Sequence, residues 1–258
     1  MSDAKTPVPA RPAATVLLVR DGDHGLEVFM VVRHREIEFA GGALVFPGGR
    51  VEEDDKTLAG PDPLDAFRIA GIRETFEECG VLLARPKGGG PVVDATRLLG
   101  IEALHRTRVA KGEQPLSAML AEEGLEPAAD AMVHFAHWIT PASRSKRFDT
   151  QFFLAAAPPD QVAVHDGHES EDSVWIRPLQ AIEEANAGQR RLVFATRKVL
   201  EKLGRAATVA QALATARTAR VVTVMPEMLR TEQGWRLHIP AEADYGGSVF
   251  EMLDAPAI

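Results

Sequence analysis

The chain has 258 residues, 45% hydrophobic and 26% charged, with a formal net charge of −8 and a single cysteine, Cys79. That is material for one large domain or a domain with an extension, and the acidic balance argues against nucleic-acid binding, since a phosphate backbone calls for a basic footprint. One cysteine excludes an intrachain disulfide and suits a reducing cytosol, and no apolar run approaches the roughly 18 residues of a membrane span, so the expectation is a cytoplasmic protein with neither nucleic acid nor membrane as partner.

The first residues, MSDAKTPVPARPAA, lack the apolar core of a secretion signal, and residues 1–12 read as a short disordered lead. ATVLLVR (14–20) and LEVFMVVRH (26–34) are β-rich and flank DGDHG, which predicts a hairpin. Glycines and a proline mark EFAGGALVFPGGRVEEDD (38–55) as a loop with a short strand inside. A helix follows, with Asp62 as N-cap, Pro63 at its first position and Asp65 complementing the dipole. It runs to about Glu78, and Gly80 ends it. At about 100° per residue, Ile69, Ile72 and Phe76 share one face and Glu74, Glu77 and Glu78 the other, one side buried and the other carrying concentrated charge. Residues 85–130 read as a helical insertion. MVHFAHWITP (132–141), RFDTQFFLAAAP (147–158) and VWIRP (174–178) read as strands, with helices at 178–187, 192–203 and 208–218 and two more strands in RVVTVM and GWRLHIP. Strands in hairpins and crossovers with helices between predict an α/β fold, a mixed sheet covered by helices.

RETFEECGV (73–81) crowds three glutamates into one helical turn. Like charges at this spacing destabilise a helix, and a bound cation would offset the repulsion. A hard ion such as Mg²⁺ takes oxygen ligands, keeps waters and bridges substrate phosphates. A glutamate left over can take a proton from a metal-bound water, and Arg73 can fix a carboxylate by a paired bond. In FPGGRVE (46–52), Gly48 and Gly49 let the backbone approach a ligand and offer a carbonyl to it. On its own such a triple is usually a solvated helix face; here no lysine lies between Lys56 and Lys87 to relieve it.

RETFEECGV preceded by FPGG resembles the signature of the Nudix hydrolase superfamily: G, five residues, E, seven residues, then R-E-U-x-E-E-x-G-U, with U a bulky apolar residue. Arg73, Glu74, Glu77, Glu78, Gly80, Val81 and Gly49 match it, and Thr75 departs at the first U. Five residues on from Gly49 stands Asp55, and seven back from Arg73 stands Asp65, with about ten extra residues between, so an insertion splits the signature and either aspartate is a candidate for its first acidic position. The resemblance implies a Nudix fold over 13–205, the helical insertion at about 85–130 included, and a C-terminal extension over 206–258 packed on it. It implies Mg²⁺ or Mn²⁺ held by Glu74, Glu77, Glu78 and the carbonyl of Gly48 or Gly49. Catalysis would fall to Glu77 and Glu74, with Arg73 orienting the ligands and Glu169 adding a ligand or base; Glu171 competes with Glu169 for that role.

Members of the superfamily hydrolyse a nucleoside diphosphate linked to another group. VVRHREIEFAGGALVFPGG (31–49), WITPASRSKRFDTQFFLA (138–155) and the helices after WIRP look like the coenzyme A diphosphatase branch, particularly the peroxisomal type, although Glu38 stands where that pattern expects arginine. The residues APAI at 255–258 are not a peroxisomal tripeptide. The resemblance implies a small-molecule partner, coenzyme A or acyl-coenzyme A, cleaved to phosphopantetheine and adenosine 3′,5′-bisphosphate. The same chemistry on ADP-ribose, dinucleotides or nucleoside triphosphates is the alternative, and a module that binds a nucleotide without cleaving it is another. Arg33, Arg50 and Arg147 are candidates to meet the diphosphate, with Arg35, Arg144 and Lys146 behind them. Relatives are often dimers, which leaves a homodimer open. Cys79, Trp138 and the Phe152–Phe153 pair read as packed core side chains.

Overall fold

The computed structural model describes residues 7–34, 41–165 and 170–253. Strands β1 (Arg11–Gly22) and β2 (Gly25–Arg33) form the expected antiparallel hairpin, with Val19 opposite Val28. The glycine-rich stretch supplies β3 (Leu44–Val45) and β4 (Gly48–Arg50) and then, where a loop was expected, helix α1 (Glu53–Leu58). Its start is a capping box built from carboxylates: the Glu52 side chain accepts from the Asp55 backbone while Asp55 accepts from the Glu52 backbone.

Helix α2 (Asp65–Cys79) begins later than expected. Asp62 does not cap it. Its carboxylate accepts from the Leu64 N–H and pairs with Arg68, fixing the turn before the helix instead. Gly80, at φ 69°, ends the helix in the left-handed conformation a glycine tolerates. The expectation of one buried and one charged face fails. Ile69, Ile72 and Phe76 are buried, but so are Glu74 and Glu78, because β4 lies against the acidic side.

Strand β5 (Ala84–Pro86) pairs with β6 (Leu125–Pro127) and closes a helical excursion between them: α3 (Ala95–Ile101), a π-helical turn (Glu102–Arg106), α4 (Thr107–Ala110) and α5 (Leu116–Glu122). Then come β7 (Val133–Ile139), β8 (Phe148–Ala156), β9 (Ser170–Ile176), α6 (Pro178–Asn186), α7 (Phe194–Leu203) and α8 (Val209–Thr218). The tail holds more strand than expected. β10 (Thr223–Val224) joins the main sheet, and β11 (Glu227–Thr231), β12 (Gly234–His238) and β13 (Val249–Met252) make a separate antiparallel sheet.

Among the described residues the main sheet has eight strands, ordered β10-β7-β8-β1-β2-β3, with β4 beside β1 and β9 beside β2. It is mixed: β8 runs parallel to β1 and β10 parallel to β7, while β2 and β4 run antiparallel to β1 and β7 runs antiparallel to β8. Two-residue alternation sends successive side chains to opposite faces. Leu17, Val19, Val28, Met30, Phe152 and Leu154 enter a core shared with α6, α7, α8 and the tail. Val16, Leu18, Phe29, Val31, Phe153 and Ala155 enter a second core shared with α2 and the insertion. Cys79 is buried in that second core.

The connection from β8 to β9 is tied to the second core by a buried glutamine. Gln161 accepts from the Leu82 N–H at 3.0 Å and donates to the carbonyls of Leu82 and Val93 at 3.2 and 2.8 Å. Gln161→Leu keeps the volume and strands at least the Leu82 N–H. The expected cost is about 1–3 kcal/mol, read as a lower urea midpoint with an unchanged m-value.

Candidate active site

The acidic face of α2 is organised around Arg73, which is 4% exposed. Its Nε and Nη2 grip both oxygens of Asp55 at 3.0 and 3.1 Å, Nη2 also donates to the Arg50 carbonyl at 2.7 Å, and Nη1 donates to Glu74 and Glu77 at 2.9 and 3.2 Å. Every N–H of the guanidinium thus has a partner. Asp55 is fully buried, whereas Asp65 pairs with Arg68. The first acidic position of the split signature is therefore filled in space by Asp55, which α1 folds back onto α2.

Glycines set the distance between β4 and the helix. A Cβ on Gly49 would stand 2.3 Å from Glu74 Oε1, and one on Gly48 would stand 2.3 Å from the Ala14 carbonyl oxygen. The Gly48 N–H donates to Glu78 Oε2 at 3.2 Å. Thr75, at the position where the signature has an apolar side chain, is fully buried and satisfies its hydroxyl on the Ile72 carbonyl one turn back at 2.9 Å.

Glu74, Glu77, Glu52, Gly48 and Gly49 border a cavity of about 630 Å³. Arg11, Arg33, Arg50 and Lys146 supply positive charge to its lining, and Phe46, Trp138, Phe152 and Val193 supply apolar surface. Of the basic candidates, Arg33, Arg50 and Lys146 reach the cavity. Among the described residues, the buried Nε of Arg33 has no hydrogen-bond partner. Arg147 is engaged elsewhere, donating to the carbonyls of Thr140 and Val8 at 3.0 and 2.7 Å, and its neighbour Lys146 lines the cavity in its place. Trp138 and Phe152 are buried like core residues yet also border the cavity, while Phe153 lies in the second core. Glu169 and Arg35 lie outside the described residues, as does the side chain of Glu171. Sequence reasoning missed Glu52 and Arg11; the alternation that carries Arg11, Ala13 and Thr15 to one face of β1 was the available signal for the latter.

The electrostatics are those of a site short of positive charge. Burial, reinforced by neighbouring Glu74, pushes the Glu77 carboxyl up to about 8, with Arg73 opposing. Burial also raises Asp55, with Arg73 again opposing. Burial works against the charge on Arg73, but Glu74, Asp55 and Glu77 outweigh it and hold the guanidinium firmly protonated. One cation thus faces three contacting carboxylates. The donors within reach are all oxygen, the set a hard divalent ion prefers. Among the described residues no three acidic, histidine or cysteine side chains are already gathered as a cage; Nη1 of Arg73 stands between Glu74 and Glu77. The chemistry of the set fits a divalent cation.

A sheet of this topology carrying an Arg-anchored carboxylate helix defines the Nudix class. The structure is similar to that of a NUDIX hydrolase from Alicyclobacillus acidocaldarius, with a TM-score of 0.70 and 28% identity over 82% of this chain and 98% of that one. Residues 56–199 match the model of the NUDT19 Nudix domain, and the chain belongs to that family. It is 31% identical over 182 residues to putative nudix hydrolase 7 of Caenorhabditis elegans, covering 70% of this chain and 56% of the relative. It is 34% identical over 147 residues to the human acyl-coenzyme A diphosphatase NUDT19, covering 54% and 39%. The chain spans about half or less of the length of these curated relatives. Nudix hydrolases in general use divalent metal ions.

The raised Glu77 gives a pH signature. An acid whose pKa rises on folding contributes stability that is complete below its unfolded value, 4.5, and is lost as pH climbs through about 8. Below that point an incoming cation must displace the proton. The rise in melting temperature caused by Mn²⁺ or Mg²⁺ is therefore expected to be larger at about pH 8.5 than at about pH 6. Thermal melts with and without metal across this range test it, and a pH-independent increment would contradict it.

Proposed function

We propose that the chain is a metal-dependent Nudix diphosphatase that hydrolyses the diphosphate of a nucleoside diphosphate derivative, with coenzyme A or acyl-coenzyme A as substrate. One observation carries the reading: a buried carboxylate cluster, under-neutralised by Arg73, opens into a cavity lined on its other sides by basic and apolar side chains and by threonines. A diphosphate with an organic group on each side suits that division. The names of the human and chicken relatives support the choice of acyl-coenzyme A, and the lone cysteine is the ground for placing the enzyme in the cytoplasm.

Glu74, Glu77 and Glu78, with a carbonyl of Gly48 or Gly49, would hold Mg²⁺ or Mn²⁺. When bound, the ion lowers the pKa of a coordinated water and offsets charge developing on the phosphate oxygens. The chain's own part is to hold the carboxylates at fixed distances, accept a proton and bind the anion. Water oxygen forms a bond to one phosphorus, the bridging P–O bond breaks, and the water proton passes to a carboxylate, giving two phosphate monoesters. Glu77, which borders the cavity beside Glu74, would accept it. Arg73 does not touch substrate on this reading; it positions Glu74 and Glu77 and is itself fixed by Asp55. Arg33 and Arg50, which line the cavity, would meet the diphosphate, with Arg11 and Lys146 completing the basic lining. Glu169 stays a candidate ligand or base.

Glu77→Gln is expected to lower kcat by about 10²- to 10⁴-fold while the urea midpoint near neutral pH holds, since the amide has the same size and its oxygen can still accept from Arg73. Phosphorus NMR on coenzyme A, acyl-coenzyme A, ADP-ribose, a dinucleotide and a nucleoside triphosphate, with Mg²⁺ and with Mn²⁺, tests the substrate. Phosphopantetheine and adenosine 3′,5′-bisphosphate are the expected products. Preference for ADP-ribose would move the assignment within the superfamily, and binding without any product would overturn the enzymatic reading.

A further inference from the structure

The cavity wall opposite the acidic helix is made by Trp138 of β7 and by Val193, Ala195 and Thr196 at the start of α7. What stands behind it is the tail of the chain. Trp138 is 4% exposed, and its Nε1–H donates to the hydroxyl of Tyr245 at 3.1 Å, with the ring centroids 5.1 Å apart. Phe194 packs edge-on against Trp138 at 6.0 Å and against Phe250 of β13 at 5.4 Å. Lys198 lies over the Phe250 ring at 4.1 Å, Lys202 lies over the Tyr245 ring at 5.1 Å, and Arg205 pairs with Asp244. The tail therefore packs as a unit on α7 and on the tryptophan of the wall.

A buried indole N–H needs an acceptor, and turning the ring out of its plane would break the bond. Tyr245 is 2% exposed and burial pushes its hydroxyl up to about 12, so it remains a neutral phenol across the working range. Its oxygen fixes one orientation of a large flat side chain that forms part of the cavity surface.

We propose that Tyr245 is a positioning residue that sets the Trp138 ring in the cavity wall, so that the C-terminal tail, through the β12–β13 connection, governs how tightly the cavity grips the organic part of its ligand. The proposal rests on the diphosphatase reading above, but it concerns binding alone. The carboxylates sit on α2 and the tryptophan on β7, and the two share no hydrogen bond. A disturbed wall should weaken binding and leave the phosphorus chemistry in place.

The test is calorimetric titration of coenzyme A, with Ca²⁺ present, into the full-length wild type, Tyr245→Phe, Trp138→Phe and the double variant, alongside steady-state kinetics with Mg²⁺. Tyr245→Phe removes only the oxygen. It should weaken Kd and raise KM by about 3- to 10-fold, the size of one lost hydrogen bond, with the loss falling on KM rather than kcat. Trp138→Phe removes the donor and should weaken binding too, and adding Tyr245→Phe to it should change nothing further. Unchanged Kd in Tyr245→Phe, a fall in kcat at constant KM, or additive effects in the double variant would overturn the proposal. Failure of coenzyme A to bind the wild type would instead sink the reading on which it rests.

Discussion

The structure depends on a single guanidinium. Arg73 is buried, and each of its N–H groups is committed to Asp55, the Arg50 carbonyl, Glu74 or Glu77. Taking ions out of water costs several kcal/mol each, and replacing a buried ionic cluster by packed apolar residues is often neutral or stabilising by about 1–4 kcal/mol. Stability is therefore a poor explanation for the cluster. What it achieves is geometric: it ties α1, β4 and α2 together at one point and fixes two carboxylates at the mouth of a cavity. It also buries Glu77 beside a second carboxylate, and burial first, with Glu74 second, holds the Glu77 carboxyl up at about 8. A better neutralised cluster would have less reason to take up a cation.

The insertion contributes to the same end. Arg106, in the π-helical turn, donates through Nε to the Glu77 carbonyl at 3.0 Å and through Nη2 to the Val164 carbonyl at 3.2 Å. Basic side chains satisfy the unpaired carbonyls at a helix C-terminus. Here one arginine does so for the last turn of the carboxylate helix and joins it to the β8–β9 connection, which Gln161 also anchors and which leads towards Glu169. The π turn is the local irregularity that accompanies this aim.

Much of this was legible in the sequence, and what was missed has physical causes. The hairpin, the alternating strands and the carboxylate helix followed from periodicity and from the order of residues in RETFEECGV. Helix α1 escaped because EDDKTL is polar, short and capped by a glutamate rather than by serine or threonine; its reason for being helical lies in Asp55 reaching Arg73, a contact across 18 positions. The choice between Asp55 and Asp65 had the same character, because spacing counts residues along the chain and the insertion between them breaks the count. Strands β11 and β13 were missed because their outward residues are exposed and few, leaving little alternation to read. Arg147 was drawn to the diphosphate by its motif, but its guanidinium is spent on the Thr140 and Val8 carbonyls. Nothing in the local sequence distinguishes it from Lys146 next door.

Trp138 and Phe152 show why a packed aromatic and a cavity aromatic look alike in sequence. On β8, Phe148, Thr150 and Phe152 share one face and border the cavity, and two residues further along the same face Leu154 is buried in the core with α7. The cavity is thus the unfilled end of that core, and a strand passes from lining it to filling the interior without any change of pattern. The acidic helix belongs to the other core and meets the cavity where Gly48 and Gly49 of β4 carry no side chain to keep it away. The two sides can then vary separately. Substitutions on α2 and β4 alter the charge of the cavity, and substitutions on β7, α7 and the tail alter its apolar surface.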